Sequence, residues 1–116
     1  MFSLSASLQF QLYSSPTDMR KSFDGLCGII QNLLGKDPAN GDVFVFINKS
    51  KNKMKLLHWE YGGFVLYYKR LEEGTFELPS KTNTQSELAI SWQELLFIIE
   101  GIRLKSVQKR KRFLGK

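Results

Sequence analysis

Basic side chains are the residues of this chain whose types and spacing point most directly to a chemistry. Seven of its 17 lysines and arginines lie in residues 103–116, a segment that contains no acidic residue. Residues 1–102 carry ten basic and 11 acidic residues, so their formal charge is −1 and the segment after them supplies the whole net charge of +6. Clustered cations bind phosphates with little preference for base sequence. The segment therefore predicts electrostatic contact with DNA, and a solvated, solubilising terminus is the alternative interpretation.

The rest of the chain contains further basic residues. Lysines occupy every second position from Lys49 to Lys55. Some of them would share one face of a hairpin, beside Lys69 and Arg70, and could follow a phosphate backbone. The simpler alternative is a solvent-exposed hairpin tip, whose lysines prevent the strand edge from pairing with another chain.

Arg20 and Lys21 form a second basic pair, exposed on a predicted helix. A helix start with nearby cations can hold a phosphate, whereas Arg20 paired with Asp24 one turn later would be an ordinary surface contact. Together with the basic C-terminal segment, these positions make up the predicted nucleic-acid-binding residues: Arg20, Lys21, Lys53, Lys55, Lys69, Arg70, Arg103, Lys105, Lys109, Arg110, Lys111 and Arg112.

Catalytic groups and metal ligands are sparse by comparison. His58 is the only histidine and lies in an apolar stretch beside Trp59, and Cys27 is the only cysteine. One histidine without a cysteine cluster builds no zinc site, one cysteine forms no internal disulfide, and no serine or cysteine is placed for a catalytic triad. We therefore expect no catalytic residues, no metal site and no cofactor, and we do not expect an enzyme.

The elements that position these residues follow from the apolar pattern. Residues 8–13 alternate polar and apolar side chains, as in a strand with one wet face. The Ser-Pro-Thr-Asp sequence at residues 15–18 has the residue types of a helix start, and Gly35 with Pro38 would end that helix. Its predicted buried stripe consists of Met19, Phe23, Leu26, Ile30 and Leu33.

Four further strands are predicted in the middle of the chain. Residues 43–47 are apolar on both faces, as in a central strand that is covered on each side. Residues 54–59 and 64–69 would form a hairpin whose turn contains Tyr61, Gly62 and Gly63. Residues 75–78 would form the last strand before Pro79, and residues 80–87 a polar loop.

A second helix is predicted near the C-terminus. Ser91 and Glu94 form a capping box with Ile90 and Leu95 as the hydrophobic staple, and Gly101 would end the helix. The sequence thus predicts one α+β domain over residues 1–104, with elements in the order β-α-β-β-β-β-α and two helices packed on a mainly antiparallel sheet. Residues 105–116 are predicted to be a basic, disordered tail.

Five spaced segments together identify a family. Residues 17–26, 43–46, 55–59, 67–76 and 95–102 occur in this order and spacing, and with them the chain closely resembles the TnpB-type accessory protein encoded by the second open reading frame of insertion-sequence-sixty-six transposons. This protein is distinct from the RNA-guided nuclease of the same label. The resemblance covers about residues 8–102. It implies a small bacterial protein, encoded beside a separate transposase, that assists movement of the element, and it transfers no catalytic or ligand residues.

Two functions remain open at this level. The first is a non-catalytic transposition accessory protein that binds DNA by electrostatic contacts. The second is an adaptor that recruits or assembles the element's transposase through Tyr61, Tyr67 and Tyr68 without contacting DNA. The apolar run at residues 95–99 is far shorter than the roughly 20 residues that span a bilayer, so we expect a cytoplasmic protein without membrane contact. The sequence does not decide the oligomeric state.

Overall fold

The computed structural model describes residues 4–79 and 87–101. Its elements are β1 (Phe10–Tyr13), α1 (Phe23–Asn32), β2 (Val43–Ile47), β3 (Lys53–Glu60), β4 (Gly63–Arg70), β5 (Glu87–Ile90) and α2 (Trp92–Glu100). The predicted α+β class and the order β-α-β-β-β-β-α are confirmed. The predicted basic tail at residues 105–116 lies outside the described residues, so the boundary of the domain stays a prediction.

All five strands form one sheet, in the order β4-β3-β2-β1-β5. The pairs β4–β3, β3–β2 and β1–β5 are antiparallel, whereas β1 and β2 are parallel. Parallel neighbours need a crossover connection, and α1 lies within the segment that joins these two strands. The sheet is therefore mainly antiparallel, as predicted, with one parallel pair at its centre.

Strand β2 lies in the middle of the sheet, and all five of its residues are buried. Alternate side chains of a strand point to opposite faces. Phe44 and Phe46 accordingly pack in one apolar cluster, and Val43, Val45 and Ile47 pack in the other. Each face of the sheet therefore needs its own cover.

The two helices supply that cover on opposite faces. The α1 face is packed by Leu26, Ile29, Ile30, Phe44, Phe46 and Leu57. The α2 face is packed by Phe10, Leu12, Val43, Val45, Ile47, Met54, Leu56, Phe76, Ile90, Leu95 and Ile98. Within the described residues, no helix is long and apolar enough to cross a membrane.

The last strand differs in position from the prediction. The predicted strand at residues 75–78 is wrong, because this segment has no regular structure and β5 lies at Glu87–Ile90 instead. Phe76 is nevertheless buried, and its N–H donates to the Lys51 carbonyl at 2.7 Å. The Phe76 side chain packs in the cluster on the α2 face, whereas the hydrogen-bonded strand pairing expected of this segment is formed by β5 with β1.

Helix α1 begins later than predicted. Its first residue is Phe23 and its N-cap is Ser22, whose side chain makes no capping hydrogen bond. The predicted start at residues 15–18 is wrong because the Thr17 N–H donates to the carbonyl of Ile47 at 2.9 Å, which ties this segment to the end of β2. Asp18 accepts hydrogen bonds from Arg20.

The buried stripe of α1 is shorter than predicted. Leu26 and Ile30 are buried, together with Ile29, whereas Phe23 and Leu33 are exposed. Because the helix starts at residue 23 and ends at residue 32, only its middle turns lie against the sheet.

The β3–β4 hairpin and helix α2 match the prediction closely. Tyr61 and Gly62 both have positive φ angles, 51° and 84°, as a two-residue type I′ turn requires. The Ser91 hydroxyl accepts from the Glu94 N–H at 3.0 Å, and the Ser91 N–H donates to the Glu94 carboxylate at 2.8 Å. Gly101 ends α2 with a φ of 79°.

The two serine N-caps provide a matched test of helix capping. Ser91→Ala removes an acceptor that α2 uses, so it should lower the free energy of unfolding by about 1 kcal/mol, within a range of roughly 0.5–2 kcal/mol. Ser22→Ala removes a hydroxyl that makes no capping hydrogen bond, so it should change stability by less than about 0.5 kcal/mol. Urea unfolding followed by circular dichroism measures both. Equal losses in the two variants would contradict the capping geometry.

Candidate nucleic-acid interface

Most basic residues of the domain gather at one end of the β3–β4 hairpin. The described residues include nine lysines and arginines. Six of them lie between positions 49 and 70, and the other three are Arg20, Lys21 and Lys36. Lys53 lies opposite Arg70 in the β3–β4 ladder, and both are on the face that α1 covers. The segment at residues 16–20 and the β2–β3 loop flank this end of the hairpin.

An open groove runs between these two segments. Its volume is about 470 Å³. Its walls and floor are formed by Pro16, Thr17, Asp18, Met19, Arg20, Asn48, Lys49, Ser50, Lys53 and Tyr68. We call it the basic groove.

The β2–β3 loop is held in one shape by Asn48. The Asn48 side-chain oxygen accepts from the backbone N–H groups of Asn52 and Lys53, each at 3.0 Å, and its amide donates to the Asn52 side chain at 2.8 Å. Lys51 takes a positive φ of 59° in this loop. The loop therefore presents the exposed Lys49 from a fixed backbone.

Arg20 is neutralised by a neighbouring carboxylate. Its guanidinium donates from Nε and Nη2 to Asp18, with the shortest contact at 2.7 Å, and its backbone N–H donates to the same carboxylate at 2.9 Å. These hydrogen bonds lower the pKa of Asp18 from its ordinary value of 3.8 to about 2 and raise the pKa of Arg20. The predicted partner of Arg20, Asp24, does not make this contact.

Arg70 is also paired with a carboxylate, whereas three lysines of the described residues are not. Arg70 donates to the Glu72 carboxylate at 2.9 Å. Within residues 4–79 and 87–101, the ammonium groups of Lys21, Lys49 and Lys53 form no ion pair. The positive charge that remains available around the basic groove therefore comes from lysines rather than arginines.

Lys55 departs from the predicted set of surface contacts because it is only 5% exposed. Its ammonium donates to the carbonyls of Met19 at 2.7 Å and Lys21 at 2.6 Å, and it lies 4.7 Å from the centre of the Tyr68 ring. Burial lowers the pKa of Lys55. This lysine fastens the segment at residues 19–21 to the sheet and so shapes the groove from beneath.

The remaining predicted basic residues lie elsewhere. Lys69 pairs with Met54 in the β3–β4 ladder, which puts it on the α2 face, away from Lys53 and Arg70. Of the predicted residues, Arg20 and Lys53 line the basic groove. Arg70 lies opposite Lys53 in the ladder, and Lys55 bonds to the carbonyl of Lys21. Arg103, Lys105, Lys109, Arg110, Lys111 and Arg112 lie outside the described residues, and their role stays a prediction.

Eight of the ten residues that line the basic groove are not in the predicted set, and Lys49, Tyr68 and Thr17 are the three of these that bear on ligand binding. Lys49 is the first residue of the alternating lysines, so the sequence pattern could have identified it. Tyr68 lies opposite Lys55 in the β3–β4 ladder, which places it on the same face as the groove. The sequence marks Thr17 only as a possible helix cap, not as a binding residue. It is 4% exposed, and its hydroxyl has no hydrogen-bond partner among the described residues.

The other titratable candidates are packed into the domain. His58 is buried, with Nδ1 at 3.4 Å from the Asp42 carbonyl and Nε2 at 3.8 Å from the Glu60 carboxylate. Cys27 is half-buried, and burial raises the pKa of its thiol. In the described part of the chain, no group of three or more histidine, cysteine, aspartate or glutamate side chains is arranged to hold a metal ion.

Comparison with known proteins gives one family and two similar chains. The family model described as "IS66 Orf2 like protein" matches residues 8–109. Over 110 residues the chain is 28% identical to "Uncharacterized protein y4jC" of Sinorhizobium fredii (strain NBRC 101917 / NGR234), covering 95% of this chain and 92% of that protein. Over 93 residues it is 33% identical to "Uncharacterized protein y4hO" of the same organism, covering 80% and 79%. No solved structure matches.

Lys55 and Lys53 form a matched pair for testing the buried clamp. Lys55→Met leaves two carbonyls without their charged donor, so it should lower the free energy of unfolding by about 1–3 kcal/mol. Lys53→Met, two residues away and on the same face, removes no hydrogen bond of the ammonium and should change stability by less than about 0.5 kcal/mol. Chemical denaturation of both variants measures the difference, and a neutral Lys55→Met would contradict the clamp.

Asp18 should titrate well below an ordinary aspartate. A carboxyl whose pKa is lowered on folding stabilises the native state above the unfolded pKa, and this contribution is lost as the pH falls through the folded pKa. For Asp18 the loss should fall between pH 3.8 and about 2. The carboxyl carbon can be followed by NMR titration. Arg20→Gln should raise the midpoint towards 3.8, and an unchanged midpoint in that variant would exclude the guanidinium as the cause.

Proposed function

Because the chain belongs to the family of IS66 Orf2-like proteins, we propose that it is a non-catalytic accessory protein that binds the DNA of an insertion element by electrostatic contacts. Family membership confirms the resemblance seen in the sequence, and the matched region extends to residue 109, beyond the predicted limit of 102. The family carries a transposition-associated accessory role. Direct binding of DNA is the step that we add to that role, and it would take place in the bacterial cytoplasm.

The observation that carries the proposal is the set of lysines around the basic groove that have no acidic partner. Lys49 and Lys53 line the groove and form no ion pair with any described residue, and neither does Lys21, the neighbour of Arg20 in the chain. A phosphate that replaced their counterions would gain affinity by counterion release, without first displacing a carboxylate. The two arginines, in contrast, would have to give up Asp18 and Glu72.

The composition of the C-terminal segment supports the same function. Residues 103–116 contain seven basic residues and no acidic one. A segment of this charge adds attraction along the DNA backbone without selecting a base sequence. We therefore propose that the basic groove and the C-terminal segment act together and that binding depends strongly on salt.

A second candidate function is favoured by the exposure of Tyr61. Its side chain is fully exposed in the β3–β4 turn, and aromatic side chains of this kind are enriched at protein interfaces. Tyr61 lies at the end of the hairpin opposite to Lys53 and Arg70, about 26 Å away for eight strand residues. A transposase docked there would leave the basic groove accessible.

Binding to a generic DNA duplex across a salt series tests the main proposal. Each phosphate contact contributes about 0.9 to the slope of log affinity against log salt. Lys53→Gln should therefore reduce the slope by about 0.9, and Lys49→Gln with Lys53→Gln by about 1.8. Lys69→Gln is the matched control, because Lys69 lies on the same hairpin but on the opposite face. It should leave the slope nearly unchanged.

The C-terminal segment is tested in the same assay by replacing Lys109, Arg110, Lys111 and Arg112 with glutamine in the full chain. A slope reduced by as much as about 3.6 would show that all four residues contact phosphate. Slopes that stay at the wild-type value in both the groove and the tail variants would overturn the electrostatic proposal. Capture of the element's transposase that resists nuclease and high salt, and that is lost in Tyr61→Asn, would then support the adaptor.

A further inference from the structure

We propose that the basic groove binds an unpaired DNA strand, with one base stacked on the ring of Tyr68 and the adjoining phosphates held by Lys49 and Lys53. This inference rests on the proposed DNA-binding function and specifies the form of DNA that the groove takes. Three features of the groove carry it: a fixed and accessible aromatic ring, lysines in the same lining that form no ion pair with a described residue, and a buried hydroxyl without a partner among the described residues.

Tyr68 is an accessible aromatic side chain in a charged setting. Among the described residues, the large hydrophobic side chains that remain exposed are Phe23, Leu33, Tyr61 and Tyr68, and of these Tyr68 lines the basic groove. Its side chain is 50% exposed. A half-exposed ring that opens into a groove offers a π-face to a base without any rearrangement of the core.

The ring is held in place before any ligand arrives. The ammonium of Lys55 lies 4.7 Å from the ring centre and is itself fixed by hydrogen bonds to the carbonyls of Met19 and Lys21. The cation–π contact and the cross-strand pairing with Lys55 define the position of Tyr68 from below. Because little side-chain freedom remains to be lost, stacking on this ring costs less entropy than stacking on a mobile one.

Two lysines line the groove together with the ring. Lys49 projects from the β2–β3 loop and Lys53 from the start of β3, and both line the same groove as Tyr68. Proteins that bind single strands combine a basic groove that follows the phosphates with aromatic rings on which bases stack. The bases of a duplex are already stacked on one another, so a ring of this kind gains a partner only from an unpaired strand.

The volume of the groove and the state of Thr17 fit the same ligand. About 470 Å³ lies within the range of roughly 300–1,000 Å³ of pockets for small ligands, which is enough for a nucleotide. The Thr17 hydroxyl in the groove wall is buried and has no partner among the described residues. Such a group is costly unless something bonds to it, and a phosphate or base edge in the groove would supply that bond after rotation of the side chain.

Two labelled probes test the stacking without any change to the protein. The first is a fluorescein-labelled oligothymidine of about 12 nucleotides, within the range of single-strand site sizes. The second is the same strand with abasic sites in place of its bases. Fluorescence anisotropy with the full wild-type chain should show roughly five- to hundred-fold weaker binding of the abasic strand, because it keeps the phosphates but loses the base. Equal affinities would overturn the inference.

Variants then assign the effect to Tyr68. Tyr68→Ala should weaken binding of oligothymidine by a similar factor and leave binding of a duplex of the same length within about two-fold. Tyr68→Phe keeps the ring and should bind as the wild type does. The matched control is Tyr61→Asn, which removes a fully exposed tyrosine outside the groove and puts in a residue that tolerates positive φ. An equal loss in Tyr61→Asn and Tyr68→Ala would overturn the assignment.

The outcomes separate this inference from the function on which it rests. If oligothymidine, abasic strand and duplex all bind with the same salt dependence and Tyr68→Ala has no effect, the protein binds DNA but not by stacking, and the inference alone fails. If none of the three probes binds at about 50 mM salt, the proposed function itself fails. Displacement of oligothymidine by a polyglutamate peptide at equal charge concentration would assign the groove to acidic chains instead and would also overturn the inference.

Discussion

The complete burial of strand β2 is the constraint on which the rest of the structure depends. Five consecutive apolar side chains alternate between the faces of the sheet, so neither face can be left to water. The parallel pairing of β1 with β2 requires a long connection, and that connection supplies α1 to one face. The other face is closed by α2 and by Phe76. The positions of both helices thus follow from one strand.

Local patterns predict the parts of the fold whose interactions are local. The Ser91–Glu94 capping box, the Tyr61–Gly62 turn and the buried strand at residues 43–47 are each determined by neighbouring residues. Strand β5 could not be predicted this way, since its four residues show too little periodicity and pair with β1 more than 70 positions earlier. The start of α1 was missed because the backbone of Thr17 bonds to Ile47, across 30 positions.

The candidate site was predictable to a similar extent. Alternate residues of a strand point to opposite faces of the sheet. Once the hairpin pairing is known, Lys53 and Arg70 can therefore be assigned to one face and Lys69 to the other. The role of Lys55 could not be predicted, because its partners are two carbonyls at residues 19 and 21, whose approach depends on tertiary packing. The charge around the groove likewise depends on side-chain contacts that the sequence does not reveal. Arg20 pairs with Asp18 and Arg70 with Glu72, whereas Lys49 and Lys53 form no ion pair among the described residues.

The buried ammonium of Lys55 also has a consequence for how the chain finds its native pairing. A slip of β3 by one residue would turn every side chain to the opposite face. It would carry Lys55 away from the carbonyls of Met19 and Lys21 and into the apolar cluster around Met54 and Leu56. An unpaired charge buried there costs several kcal/mol. The buried charge of Lys55 therefore raises the free energy of a misregistered hairpin and favours the native strand register.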